Sequence, residues 1–497
     1  MKLKVGLFNE SFPPTIDGVA NAVFNYAKYI QKNHGTATVV TPKYPNVEDN
    51  YDFEVYRYQS ADVSKSLGYR VGNMFSMKTL RDLYQKDFDL IHIHSPFTSS
   101  VIVSELKKLR ADIPVVVTYH TKFDIEFQKR LKVKSLCDVA EKFLRHNLSE
   151  ADEVWVVSEG AVESLRNVGY KGPYRIMKNG TDFERGKSSN EEVAELRQEY
   201  GILPDEKLFL FVGRMMWYKN IGLIIDALKQ LPDDMNYKML FVGDGNDLEH
   251  AREYVRRIGL SDRVVFAGGI TDRKKVRTCF SAADLFLFPS TYDTAGLVVM
   301  EAAACSLPSV LVDGSCAAED VVDDFSGYLC NENAKSLADK IIYAMSDDKK
   351  RRTIGENASR YVYLSWEDSV ARGYKRYCEL YNEFHKNGAK KSIIEKTMPK
   401  NLKKSITTTV SSGGKIVKRV GVHIKTVSED TATDVINASK KAVSGVKSFS
   451  VKTAGDVKNA TQNAADNVKN AVKRAADSTK EIFKSNDIIN QFKNNDK

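Results

Sequence analysis

Short runs of Val, Ile, Leu and Phe, each ending at a turn and followed by an amphipathic stretch of helical period, recur along most of this chain. KVGLFNE, ATVVTP, LIHIHS, PVVVTYH and EVWVVSE occupy the amino-terminal part; LFLFVGR, KMLFVGDG, RVVFAGG and ADLFLFPS follow. Strands alternating with helices through right-handed crossovers make parallel sheets, so the chain reads as α/β with one such sheet in each half. Open parallel sheets bind ligands at the carboxyl ends of their strands, and the residues that carry chemistry are therefore sought in the strand-to-helix loops.

Two of those loops hold charge. LFLFVGRMMWYKNIGLIIDAL places Arg214 and Lys219 five residues apart between a buried strand and a helix. Two cations so placed suit a diphosphate and the charge that builds on it as a group departs; Arg214 also fits an ordinary surface ion pair. PSTYDTAGLVVMEAAACSLP sets Asp293 and Glu301 eight residues apart around Gly296, which lets the loop turn into a helix with the free amides of Gly296, Leu297 and Val298 forming an anion site. A carboxylate accepts from both hydroxyls of a cis-diol, so Asp293 and Glu301 suit sugar hydroxyls on either side of that anion. Taken alone, the pair equally reads as a helix cap and a solvated helical residue. Gly243 and Gly245, Gly268 and Gly269 end two further strands, where glycine serves either a turn or a close approach to a ligand.

In this order, VGR with Lys219, VGDG, RVVFAGG, ADLFLFPS and Asp293 through EAAACSLP resemble glycosyltransferase family 4 over about 380 residues. The resemblance implies two facing doubly wound Rossmann-like domains of the B type and transfer of a hexose from a nucleotide diphosphate sugar with retention of configuration. It implies no metal and no other cofactor. Arg214 and Lys219 would hold the donor diphosphate, Glu301 the ribose and Asp293 the transferred sugar. Gly243, Gly268, Thr294, Ala295, Gly296 and Leu297 would complete the donor site. The family usually has Glu at the position of Asp293, an aromatic at Ala295 and Gly at Ser306; the shorter Asp keeps the charge but withdraws it by one methylene. Gly18, opening the helix after SFPPTID, corresponds to a glycine that lets donor phosphate or acceptor come close, and His120, ending PVVVTYH, to a histidine whose ring nitrogen contacts the transferred sugar.

TYHTKFDIEFQKR together with HIHSPF looks closest to bacterial enzymes that glucosylate diacylglycerol. That likeness implies UDP-glucose as donor and a lipid or lipid-linked acceptor, with Lys122 and Phe123 nearby. Lys122, Lys129, Arg130, Lys132 and Lys134 make a basic helix that suits either anionic headgroups or plain solvation. His92 and His94 share a strand face; without an acidic or cysteine partner of known spacing they read as packing near the cleft rather than as a metal pair.

The expected domains are residues 1–185 for the acceptor, 186–365 for the nucleotide sugar, a helix at 366–386 crossing back to the first domain, and a tail from 387 to 497. The 497 residues suffice for two or three cores. Six scattered cysteines suggest neither a disulfide framework nor a metal knuckle and fit a reduced compartment. MKLKVGLFNESFPP reads as a first strand rather than a signal peptide, and no apolar run approaches about 18 residues, so no membrane span is expected.

From Lys391 onward 21 Lys and Arg face 10 Asp and Glu, whereas the whole chain carries a formal +9, so the basic excess belongs to the tail. Residues 432–486 divide into five elevens with Val435, Val446, Val457, Val468 and Thr479 in the fourth place. Eleven residues make three helical turns, which keeps these positions on one side of a helix flanked by lysines. The pattern resembles lipid-surface helices and predicts attachment to an anionic membrane, placing the enzyme in the cytoplasm on the inner face of the cell membrane. Interleaved acids and missing stacking aromatics argue against nucleic acid. Competing expectations are a soluble transferase that extends a capsular or other glycan, and a donor-binding scaffold without turnover.

Overall fold

The structure is a computed structural model that describes residues 1–15, 17–62, 70–74, 76–131 and 134–386. Lys132 and the eleven-residue repeats at 432–486 lie outside them. Both large sheets belong to one compact unit, which takes in residues 1–130 and runs on from Glu141.

The first sheet contains β1 (Lys4–Phe8), β2 (Thr36–Pro42), β3 (Glu54–Tyr58), β6 (Leu90–Ile93), β7 (Val115–Tyr119), β8 (Glu153–Val156) and β9 (Arg175–Ile176). Every pairing is parallel and the order is β3-β2-β1-β6-β7-β8-β9. A small antiparallel pair, β4 (Ser60–Asp62) with β5 (Arg70–Gly72), stands apart from it. The second sheet contains β10 (Lys207–Val212), β11 (Tyr237–Val242), β12 (Val264–Gly268), β13 (Leu285–Phe288), β14 (Ser309–Val312) and β15 (Tyr328–Cys330), again all parallel, in the order β12-β11-β10-β13-β14-β15. Each sheet reverses its direction of growth once, between β1 and β6 and between β10 and β13. Those are the points where neighbouring loops diverge and leave a crevice.

The strands are apolar without alternation, LFLF at β13 and KLFLFV at β10, because helices cover both faces of a parallel sheet. Ser189 and Glu192 form a reciprocal capping box that starts helix Asn190–Glu199, so the polar RGKSSN segment ends as a helix cap. The division expected at 185/186 falls in the connection between β9 and that helix. Helix Trp366–Lys386 leaves the second sheet and packs into the core of the first, with Trp366, Val370, Tyr374 and Tyr377 buried beside Val5, Tyr26 and Trp155. Tyr377 stacks on Trp155 at 5.1 Å, and Tyr374 Oη accepts from the Leu3 amide at 2.7 Å. The molecule is two parallel-sheet Rossmann-like α/β domains.

Among the described residues no helix is long and apolar enough to cross a membrane.

Candidate active site

The site grows from the second sheet's switch point. After β10 the chain turns through Gly213, Arg214 and Met215 into a short 3-10 turn, Trp217–Lys219, before helix Ile221–Leu228. This loop is stitched to its neighbours by backbone bonds: Gly213 N donates to Val242 O (3.0 Å), Met215 N to Asp244 O (2.9 Å) and Gly243 N to Gly268 O (2.8 Å). Gly243 has φ +142°, and a Cβ there would lie 1.9 Å from Gly213 O, so glycine is required for loop-on-loop packing. Gly268 closes the same row.

Lys219 is buried, and its Nζ donates to Asp293 Oδ1 at 2.7 Å; the other oxygen, Asp293 Oδ2, accepts from Ser290 Oγ at 2.6 Å. Asp293 therefore does not cap the following helix. Arg214, in contrast, is exposed, and among the described residues its guanidinium makes no hydrogen bond or ion pair. One cation is paired with a carboxylate and the other reaches solvent.

Helix Leu297–Ala304 begins at Gly296 in the left-handed region, φ +53°, with no side chain capping its amides. A Cβ on Gly296 would approach Ala317 Cα to 2.8 Å. One turn on, Glu301 is buried, and its Oε1 accepts from Arg273 Nη2 at 2.7 Å. Arg273 also forks onto Asp182 at 2.5 and 3.0 Å, and its guanidinium lies 4.4 Å above the Phe183 ring. Burial pushes the Glu301 carboxyl up, with the Arg273 guanidinium opposing. Glu301 is thus no solvated helical residue; its partner Arg273 is a residue the sequence does not single out. The other partner of Arg273, Asp182, lies in NGTD between the two sheets.

The first domain meets this loop directly. Thr294 Oγ1 donates to the His120 carbonyl at 3.0 Å, and Ser158 Oγ donates to the Thr294 carbonyl at 2.6 Å. Lys122 Nζ donates to Thr291 O at 3.3 Å, and Tyr292 Oη to Glu126 Oε2 at 2.8 Å. Lys129 Nζ lies 4.3 Å from the Tyr218 ring centroid and 3.9 Å from that of Tyr292. Burial, and then Glu126, push the Tyr292 phenol up. Lys122 and Lys129 thus have contacts in the second domain: a carbonyl takes the Lys122 ammonium, and two aromatic rings lie beside that of Lys129, which stays exposed. Phe123 packs among Phe97, Tyr119 and Phe127. Arg130 contributes no described side chain.

Gly18 opens helix Gly18–Asn33, where Asp17 Oδ1 accepts from the Val19 and Ala20 amides at 2.8 and 2.7 Å. Gly18 is exposed with open space around it. Ala295 and Leu297 sit half-buried on either side of Gly296. His120 is buried beside His94, and His92 and His94 pack against Tyr26.

Two family descriptions match the chain: "Glycosyltransferase Family 4" over residues 16–185 and "Glycosyl transferases group 1" over 192–361. The alpha-monoglucosyldiacylglycerol synthase of Streptococcus pneumoniae is 26% identical over 415 residues, 80% of this chain and 91% of that one. The N-acetyl-alpha-D-glucosaminyl L-malate synthase of Bacillus anthracis is 22% identical over 382 residues, 73% and 93%. The solved structure of HepE from Anabaena, in complex with UDP and glucose, superposes with a TM-score of 0.60 at 20% identity, covering 76% of this chain and 99% of that one. Fold and matches together define a two-domain glycosyltransferase. The chain belongs to glycosyltransferase family 4 and, within it, resembles the diacylglycerol glucosyltransferases.

Proposed function

We propose that this enzyme transfers glucose from UDP-glucose to a membrane lipid such as diacylglycerol, retaining the configuration at the anomeric carbon. The observation that carries the reading is the convergence of Lys219, Asp293 and the uncapped amides after Gly296 at the β10/β13 switch point, with Glu301 one turn deeper. Arg214 and Lys219, with those amides, bind the diphosphate and stabilise its charge as it departs. Glu301 takes the ribose hydroxyls. Asp293 and His120 contact the transferred sugar, and Gly18 leaves room for donor phosphate or acceptor opposite them. A phosphate oxygen of the departing diphosphate takes the acceptor hydroxyl proton on the face from which it leaves, so no protein nucleophile is needed.

The acceptor class is supported by the likeness to the pneumococcal enzyme, and a lipid substrate fits a peripheral enzyme on the inner face of the cell membrane, held to anionic lipid by the basic tail. The likeness to the Bacillus anthracis enzyme favours a second reading, a small soluble acceptor. Incubating the full chain with UDP-glucose and either diacylglycerol in anionic vesicles or L-malate separates them. Glucolipid formation only with vesicles is expected, and transfer to malate alone overturns the lipid reading. Deleting residues 391–497 should abolish vesicle binding; unchanged binding removes the tail from the account.

A further inference from the structure

Strands β6 and β7 lie side by side and carry three histidines at their carboxyl ends. His92 is in β6, His94 just after it and His120 just after β7, and all three are buried. Burial lowers His120 to about 3 and holds His92 and His94 well below the ordinary value. Each imidazole is therefore neutral, with one N–H and one lone pair to place.

His92 leaves the choice open. Its Nδ1 is 2.5 Å from Tyr377 Oη and its Nε2 2.6 Å from Thr118 Oγ1, hydroxyls that donate or accept equally well. His94 does not. Its Nδ1 is 3.0 Å from His120 Nε2, with the two rings only 19° from parallel, while its own Nε2 is buried with no hydrogen-bond partner. Were His120 the donor, His94 would carry its proton on Nε2 as an orphaned buried N–H, which is the rarer and costlier state, about 1–3 kcal/mol. With His94 donating through Nδ1, only a lone pair is left over. His120 Nε2 is then the acceptor, and the His120 proton must lie on Nδ1.

We infer that His94 is a positioning residue that fixes the tautomer of His120, so that His120 presents an Nδ1–H donor to the cleft beside the Asp293 loop. The Thr294 bond to the His120 carbonyl places the His120 backbone against that loop. The inference rests on the proposed contact between His120 and the transferred sugar: the donor would meet a sugar hydroxyl oxygen.

The test is nitrogen NMR of the full chain labelled with 15N-histidine, with the His120 signals assigned by their loss in His120→Ala. A protonated Nδ1 and bare Nε2 on His120 are expected; the reverse overturns the inference. In transfer assays with UDP-glucose and diacylglycerol vesicles, His94→Leu should lower kcat on the order of a hundredfold with little change in KM. His94→Asn, whose amide nitrogen replaces Nδ1 as donor, should restore most of that loss. Equal activity of the Leu and Asn variants overturns the role of His94. If His94→Leu fails to fold, the spectrum of the unaltered chain and the Asn variant still decide. Full activity of His120→Ala would instead remove the sugar contact itself, while an inactive His120→Ala beside an active His94→Leu removes only His94.

Discussion

Lys219 Nζ sits 2.7 Å from Asp293 Oδ1, joining residues 74 apart in sequence across the loops that follow β10 and β13. The pair spans the switch point of the second sheet, and its members are the cation proposed for the diphosphate and the carboxylate proposed for the sugar. In the free enzyme each therefore compensates the other's charge. A donor that brings both a diphosphate and a hydroxylated sugar gives each a partner of its own.

Lys219→Ala should abolish transfer, a loss of at least about a hundredfold in kcat/KM, because charge on the departing diphosphate loses a positioned cation. Asp293 keeps its bond from Ser290, so the far-ultraviolet circular dichroism spectrum should be unchanged. Full activity in this variant would refute the diphosphate clamp.

Glu301→Gln should weaken UDP-glucose binding by roughly tenfold while leaving kcat nearly constant, since a ribose contact far from the reacting bond acts equally in ground and transition states. Titration calorimetry measures the affinity directly. Arg273→Met should produce a similar loss by leaving the buried Glu301 carboxylate unpaired; unaltered affinity in both variants would detach this pair from the donor.

Gly296→Ala should destabilise the enzyme by about 1–3 kcal/mol, the range for forcing a side chain into the left-handed region, with the close approach to Ala317 pushing it toward the upper end. Thermal unfolding provides the check. A melting temperature equal to that of the parent would show that the loop re-forms without glycine.

Glu10 follows β1; its Oε1 accepts from the Ser99 amide at 2.7 Å, and burial raises its carboxyl from the ordinary 4.5 to about 7. The folded state thus favours the protonated form. Its contribution to stability is fully present below pH 4.5 and is lost as the pH rises to about 7, up to about 3 kcal/mol. Glu10→Gln should lack this loss and gain stability over the parent at pH 8 but not at pH 4, as read by urea unfolding. Parallel pH profiles for the two proteins would contradict the assignment.

Much of the donor half was legible in the sequence. The run ADLFLFPS announced a strand buried on both faces, the glycine at 296 announced a turn into a helix, and Asp293 and Glu301 stood on either side of it. What stayed illegible were the partners. Arg273 lies in ITDRKK, which reads as an ordinary basic start to a helix, and nothing local points it at a carboxylate 28 residues on. The contacts of Lys122 and Lys129 were illegible for a related reason. Helical spacing shows which residues share a face but not what meets that face, and here Thr291, Tyr218 and Tyr292 of the other domain touch it.

The sequence by itself determined the α/β alternation, the strand ends and the glycines, because periodicity and backbone conformation are local properties of a few consecutive residues. The tertiary structure alone decided that Lys219 meets Asp293, that Glu301 is buried against Arg273, and that His94 meets His120. Those pairings depend on strand order and on how two domains face each other, and a buried charge or imidazole takes its character from whichever neighbour the fold supplies.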